Sequence, residues 1–338
     1  MTRSSPELPS PRGPLSEFLV RRLCEPVNGL REAPAPDGDP LAGDDFHLAL
    51  YLLYELHFRS FAGVDPKWEW EPSLLRVRAA LERTFEDALR AVLPPEPEPV
   101  ADVPRYLTDL MANAGGPSLS RYVETRASLG EFREFAVHRS AYQLKEADPH
   151  SFAVARLEGR TKVALTEIQF DEYGGGRPER LHARLFADTM DALGLDSAYG
   201  AYLDGIPGVT LATVNMMSMF GLHRRLRGAL VGNLALLEMD SSQPNRRYGN
   251  GLRRLGLPEA TGFYDEHVEA DAVHEAIAAH DLAGALAADD PEVAPDILFG
   301  ARATLLLDAA LAKRLLGSWE RGESSLRVPL AESAPAGG

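Results

Sequence analysis

Residues 262–277 read GFYDEHVEADAVHEAI, and how this stretch folds decides how the rest of the chain is read. His267, Asp271 and His274 are spaced i, i+4 and i+7. At roughly 100° per residue, an α-helix gathers these positions within about 60° of one another. Phe263, Tyr264 and Ala278 fall in the same sector, whereas Asp265, Glu269 and His280 fall opposite. Two imidazoles and a carboxylate therefore occupy the apolar, core-facing stripe of an amphipathic helix. Burying such groups is costly unless they are paired or bind a metal. Helical bundles build metal sites from inward-pointing His and carboxylate side chains of this kind. The plain alternative is a surface helix whose polar residues align by chance, and the flank of Phe263, Tyr264 and Ile277 argues against it.

The chain outside this helix continues in the same manner. Apolar residues at helical spacing predict helices over 46–59, 74–92, 103–113, 118–128, 129–146, 149–173, 178–193, 198–203, 209–237, 262–279, 281–286 and 292–316. Gly or Pro punctuates most of the boundaries, as helix stops require. Strand-like alternation of Val, Ile and Thr is nearly absent, and no repeat of fixed period is visible. An all-α bundle is the economical reading. Residues 1–45, with PSPRGP and REAPAPDGDP, read as a mostly flexible leader holding at most one short helix near 15–22. Residues 46–320 read as one continuous helical domain and 321–338 as a flexible tail.

Composition narrows the function. With 45% hydrophobic and 25% charged residues, the 338-residue chain can bury a sizeable core. A net charge of −15 repels phosphate backbones, so nucleic acid is not an expected partner. Cys24 is the one cysteine, which rules out an internal disulfide and Cys-based zinc or iron–sulfur sites. A lone thiol fits a reducing, cytoplasmic setting. No apolar core follows Arg3 as a signal peptide requires, and no apolar run reaches membrane-spanning length, so no membrane is expected as a partner.

Further carboxylates and a histidine sit on apolar faces. Glu238 shares a helical face with Leu230, Val231, Leu234 and Ala235, or else is an ordinary helix-end glutamate snorkelling to water. Glu172 shares a face with Thr161, Ala164, Leu165 and Ile168, while Glu167 and Asp171 project elsewhere. Gly174-Gly175-Gly176 ends that helix and Pro178 starts the next, bringing His182 near its beginning. Such a break lets residues ten apart converge from two helices; a plain helix–turn–helix with a solvated histidine reads equally well. Glu146 shares a mixed face with Tyr142, Arg139 and Phe135 and is barely distinguishable from a capped surface glutamate.

Taken together, these residues resemble the haem-oxygenase-like di-iron oxidases, often described as iron-containing redox enzymes. That family orders its ligands as a glutamate, then Glu-x9-His, then a glutamate, then His-x3-Asp/Glu-x2-His. Here the order is Glu146, Glu172 and His182, Glu238, then His267, Asp271 and His274. LYELHFRSF and DPKWEWEP are also similar to the family's N-terminal region, and the resemblance covers residues 45–318. It implies a seven-helix scaffold without haem, two irons cycling between Fe(II) and Fe(III), and O2 as co-substrate. The chemistry it implies is C–C cleavage, decarboxylation or amine oxygenation of a small molecule bearing an amine or carboxylate, commonly in secondary metabolism. An external electron donor fits this scheme, and a homodimer is left open.

Imidazoles and carboxylates suit iron in both oxidation states. Within the resemblance, His182 and Glu172 are assigned to one iron and His267, His274 and Asp271 to the other. Glu238 is taken as the bridge, and Glu238 and Asp271 as the carboxylates closest to catalysis. Tyr173, Tyr264 and Asp265 are second-layer candidates by adjacency, with packing or solvation the simpler reading of each. The basic run from Arg246 to Arg254 reads as a solvated or internally paired segment, or else as an anion clamp at a pocket mouth. Glu55-x-His57 looks ligand-like but reads as packing in the N-terminal helices, His138 and His150 fit no metal spacing, His223 beside Arg224 and Arg225 reads as lying near a helix surface, and Trp68 and Trp70 read as core or lid aromatics. The competing readings are a metal-free haem-oxygenase-like or thiaminase-like enzyme, a haem protein using one histidine, and a non-catalytic helical binding protein.

Overall fold

Proline and short polar residues start most helices of this protein. Asp102, Ser118 and Ser128 each accept a hydrogen bond from the backbone N–H three residues on, and Ser128 forms a reciprocal capping box with Glu131. The computed structural model describes residues 5–30, 33–96 and 98–330, with the side chains of 270–272 outside the description. In chain order the helices are α1 (Pro14–Leu23), α2 (Asp44–Glu55), α3 (Pro72–Val92), α4 (Val103–Ala112), α5 (Leu119–Thr125), α6 (Leu129–Gln143), α7 (Asp148–Val154) and α8 (Gly159–Glu172). They continue as α9 (His182–Ala192), α10 (Gly208–Leu222), α11 (Arg227–Met239), α12 (Ser242–Arg254), α13 (Gly262–Ala276), α14 (Ala285–Asp289) and α15 (Ala294–Glu320). A π-helical segment, Ile277–Gly284, joins α13 to α14. Every regular element among the described residues is helical, and the fold is an all-α bundle.

The centre of the bundle is α10. Its sequence, GVTLATVNMMSMFGL, is buried on all sides from Gly208 to Gly221, so α10 lies inside a shell of α2, α6, α7, α11 and α15. Two glycines let α11 and α15 approach closely. A Cβ on Gly232 would run into the Ile297 carbonyl oxygen, and one on Gly300 into that of Ala229. This contact fixes α11, the helix that carries Glu238, against the long C-terminal helix.

The structure departs from the sequence expectations in identifiable places. The helix expected over 149–173 is two, α7 and α8, separated by a turn that ends at Gly159 with φ +54°, a conformation glycine takes without strain. The helix expected over 209–237 breaks at His223, whose backbone is extended. Apolar residues flank that break on both sides, so periodicity does not reveal it. The basic run forms α12, whose Asn245, Tyr248, Gly249, Gly251 and Leu252 are buried.

The leader expected to be flexible is anchored where it is described. Leu15, Leu19 and Leu23 of α1 are buried, and Asp45 accepts hydrogen bonds from the N–H groups of Leu15 and Ser16 at 2.9 and 2.8 Å. Gly13 precedes α1 and has no side chain to cap it, so a carboxylate distant in sequence does so. The first part of the expected tail is likewise held: Ser325 is buried and bonds to Glu134. No described helix is long and apolar enough to cross a membrane.

Candidate metal centre

Five elements deliver side chains to one buried region. Glu146 follows the end of α6, just before Ala147, whose φ of +69° turns the chain sharply into α7. Glu172 ends α8. The turn through Gly174, Gly175 and Gly176, all at positive φ, returns the chain so that His182 opens α9. Glu238 lies in the last turn of α11, and His267 and His274 lie on α13. The faces expected from the sequence hold: Thr161, Ala164, Leu165 and Ile168 are buried with Glu172, and Leu230, Val231, Leu234 and Ala235 with Glu238.

These side chains form two groups that share one carboxylate. Glu146, Glu172, His182 and His267 place one ligand atom each within 4.8 Å of one another, and Glu172, Glu238 and His274 do the same. His182 Nδ1 lies 3.0 Å from Glu172 Oε2, and His267 Nε2 lies 3.7 Å from Glu146 Oε1. The His182 and His267 rings are 4.3 Å apart, centre to centre. His274 stands between two carboxylates, with Nδ1 3.1 Å from Glu238 and Nε2 3.0 Å from Asp171.

The grouping differs from the one taken from the resemblance. His267 sits with His182 and Glu146 instead of with His274, and the shared carboxylate is Glu172 instead of Glu238. Asp171 was expected to project elsewhere and instead meets His274. Its carboxylate is about half exposed and reaches over the rim of the site at the last turn of α8, an arrangement a face count on a regular helix does not reveal. The Asp271 side chain lies outside the described residues.

The electrostatics suit a cation. Burial raises the Glu172 carboxyl pKa against the relieving charges of His267 and His274. Burial likewise raises that of Glu146 against His267. Burial and then the nearby His267 push His182 down to about 4, so its imidazole is neutral and able to coordinate. His274 is the opposite case. Burial works against its charge, but hydrogen bonds and charge from Glu238, with Asp171 and Glu172, raise it to about 9. His267 Nδ1 donates to the Phe263 carbonyl oxygen at 2.8 Å, which turns its Nε2 toward Glu146. Glu146 Oε2, Glu172 Oε2 and His182 Nδ1 are buried without hydrogen-bond partners. Orphaned acceptors of this kind are costly unless a cation satisfies them, so the residues present fit a metal.

Other candidates have ordinary partners. Glu55 is fully buried and accepts from Lys145 Nζ at 2.9 Å and the Tyr199 hydroxyl at 2.7 Å. His57 meets Glu69 and Arg78, His138 meets Thr210 and Ser325, and His223 meets Glu82. Trp68 is buried and Trp70 exposed. Tyr173 bonds to Ser151 and Asp148, and Asp265 pairs with Arg253. Arg254 donates to carbonyl groups of residues 123, 124 and 127. Most of the basic run is thus paired internally, though Arg247 borders a cavity.

That cavity, of about 640 Å³, has Glu146, Glu172, Glu238 and His267 among its lining residues. Its walls mix apolar side chains such as Leu110, Met216 and Leu305 with polar ones such as Asn233 and Thr304. Sequence reasoning did not find His150 as a cavity residue. Its Nε2 bonds to Asn233 Oδ1 at 2.9 Å, and the only prior signal was its place four residues after Glu146.

Comparison with known proteins points the same way. A stretch of 132 residues is 28% identical to the nitrosourea synthase of Streptomyces achromogenes subsp. streptozoticus. It covers 39% of this chain and 28% of that protein's length. The profile of the family described as iron-containing redox enzymes matches residues 133–309, just over half the chain and a span holding the clustered carboxylates and histidines of α6 to α13. With fold, site chemistry and profile in agreement, the chain belongs to the family of iron-containing redox enzymes.

Proposed function

We propose that this protein is a non-haem di-iron oxidase or oxygenase that uses O2 to oxidise a small organic molecule bearing an amine or a carboxylate. The observation that carries the reading is the sharing of Glu172 between two buried His–carboxylate groups. In this reading Glu146, Glu172, His182 and His267 would hold one iron. Glu172, Glu238 and His274 would hold the second, with Asp271 added by resemblance. When bound, two Fe(II) ions supply the electrons for O2 activation.

The chain's own residues do the rest. Neutral His182 can offer a lone pair without first losing a proton, and the hydrogen bond from His267 Nδ1 to the Phe263 carbonyl turns His267 Nε2 toward Glu146. Glu146, Glu172 and Glu238 balance the cationic charge in a site shielded from water, where unpaired ions are costly. Asp171 and Glu238 hold His274 between them, and the half-exposed Asp171 carboxylate would offer a His274 proton a way to solvent. The cavity admits a small molecule beside the shared carboxylate. An external electron donor completes turnovers that need more electrons than the metals hold, and the small-molecule product belongs to secondary metabolism.

A metal-free enzyme of the same architecture leaves Glu146 Oε2 and Glu172 Oε2 buried and unpaired, which disfavours it. Anaerobic titration with Fe(II), followed by mixing with O2, separates the readings. Saturation at two irons per chain with a transient visible absorption band is expected. A chain that takes up no iron, or iron that is inert to O2, defeats the proposal.

A further inference from the structure

A second cavity, of about 520 Å³, opens where the N-terminal ends of α2 and α10 meet the C-terminal half of α15 and the segment after it. Its lining holds four cations, Lys313, Arg314, Arg321 and Arg327, and one carboxylate, Asp44. Positions 310, 313, 314 and 317 of α15, with Arg321 just after it, fall within about 100° on a helix, so one face carries three of the cations. Gly317 leaves the middle of that face open, and the Arg321 guanidinium lies 3.5 Å from where a Cβ would stand. Other residues of α15, such as Leu305, Leu306 and Ala309, line the cavity beside the metal centre, and the two cavities share no lining residue.

In a chain of net charge −15 this concentration of cations runs against the whole. Asp44 does not neutralise it, because its oxygens already meet Arg327 at 3.0 Å, the buried Arg12 side chain at 3.8 Å and the Gly208 N–H. Arg321 pairs with Glu323, but both are more than half exposed and water screens the contact. Arg314 donates to the Ser325 carbonyl oxygen and meets no carboxylate among the described residues, and Lys313 has no ion-pair partner among them. The positive dipole ends of α2 and α10 add to the same potential. We infer that this cavity binds a phosphorylated organic molecule of nucleotide size. A phosphate group carries more charge than a lone carboxylate and offers oxygens to several cations at once, the arginine forks in pairs and Lys313 as a point charge. Ala42, Pro207, Val209 and Ala310 give the cavity an apolar wall, which a ring or sugar face covers and an inorganic anion leaves wet. The volume lies in the ordinary range for small-molecule sites. Nothing in this assignment depends on iron or on the oxidase reading.

Calorimetric binding to the full chain tests it. The probes are ADP, NADPH and FMN, with adenosine and riboflavin as uncharged counterparts and inorganic pyrophosphate as the counterpart without an organic part. At least one of the three nucleotides is expected to bind with Kd below about 100 μM, and each counterpart at least about tenfold more weakly. Lys313→Gln combined with Arg314→Gln should raise the Kd of that nucleotide at least about tenfold. Gly317→Leu, which keeps every charge and fills the middle of the cavity, should do the same. Arg105→Gln combined with Arg184→Gln removes two exposed cations elsewhere and should leave binding unchanged. The proposal is overturned if no nucleotide binds, if the counterparts bind as tightly, if the Lys313 and Arg314 double variant binds like wild type, or if the distant double variant loses as much affinity. Iron uptake is measured on the same chains. A chain that binds the nucleotide and takes up no iron defeats the oxidase reading alone, and full iron without nucleotide binding defeats this site alone.

Discussion

Glu172 Oε2 and His182 Nδ1 lie 3.0 Å apart and yet do not hydrogen-bond, each remaining buried without a partner. Two acceptors at that separation, both short of a donor, are misplaced for each other and well placed for a cation lying between their lone pairs. His182 is held neutral by burial, so its ring carries a single proton, and with that proton on Nε2 the Nδ1 lone pair can meet a cation.

His274 gives the metal-free protein a distinctive pH dependence. Its pKa is raised from 6.5 to about 9. A group raised on folding stabilises the folded chain fully below its unfolded value, and that contribution is lost as pH rises through the folded value. The wild-type chain, stripped of metal, should therefore exceed His274→Gln in melting temperature below pH 6.5 and lose this advantage by about pH 9. Thermal melts of the two chains across this range check it. An advantage that grows with pH contradicts the pairing of His274 with Glu238 and Asp171.

The buried pair of Lys145 and Glu55 sits immediately before the site. Lys145 Nζ is 2.9 Å from Glu55 and 4.2 Å from the centre of the Phe58 ring. Lys145→Met leaves the Glu55 carboxylate uncompensated and should cost about 3–5 kcal/mol, measured by denaturant unfolding. Replacing Glu55 by Gln in the same chain should recover a large part of that loss.

The crossing of α11 and α15 is set by glycine. Gly300→Ala forces a Cβ into the Ala229 backbone, which cannot yield as a side chain can. The expected loss is about 1–3 kcal/mol, towards the upper end, read from the shift of a urea unfolding curve. A change near zero shows that the helices can separate without penalty, and that the position of Glu238 is not fixed by this contact.

Much of this was legible in the sequence, for a physical reason. Helical periodicity reports which side of a helix is apolar; it put His267 and His274 on a core-facing stripe and Glu172 and Glu238 on apolar faces, and all four are buried. The glycine run after Tyr173 indicated the reversal that brings His182 back to Glu172. Periodicity says nothing about which side chains meet across helices, so the sharing of Glu172 and the placing of His267 beside His182 came only from the packed structure. It also fails where both faces are buried, as at the break near His223, and where a helix is basic on its outer face, as in α12. Asp171 was missed because its reach to His274 depends on where α8 ends.

The central claim is that one carboxylate serves two metals, and the metal content of Glu172→Ala tests it most directly, with Glu238→Ala as the comparison. After anaerobic loading with Fe(II), the wild-type chain should hold two irons, Glu238→Ala close to one, and Glu172→Ala fewer than Glu238→Ala. Glu172→Ala that retains the wild-type amount of iron contradicts the account.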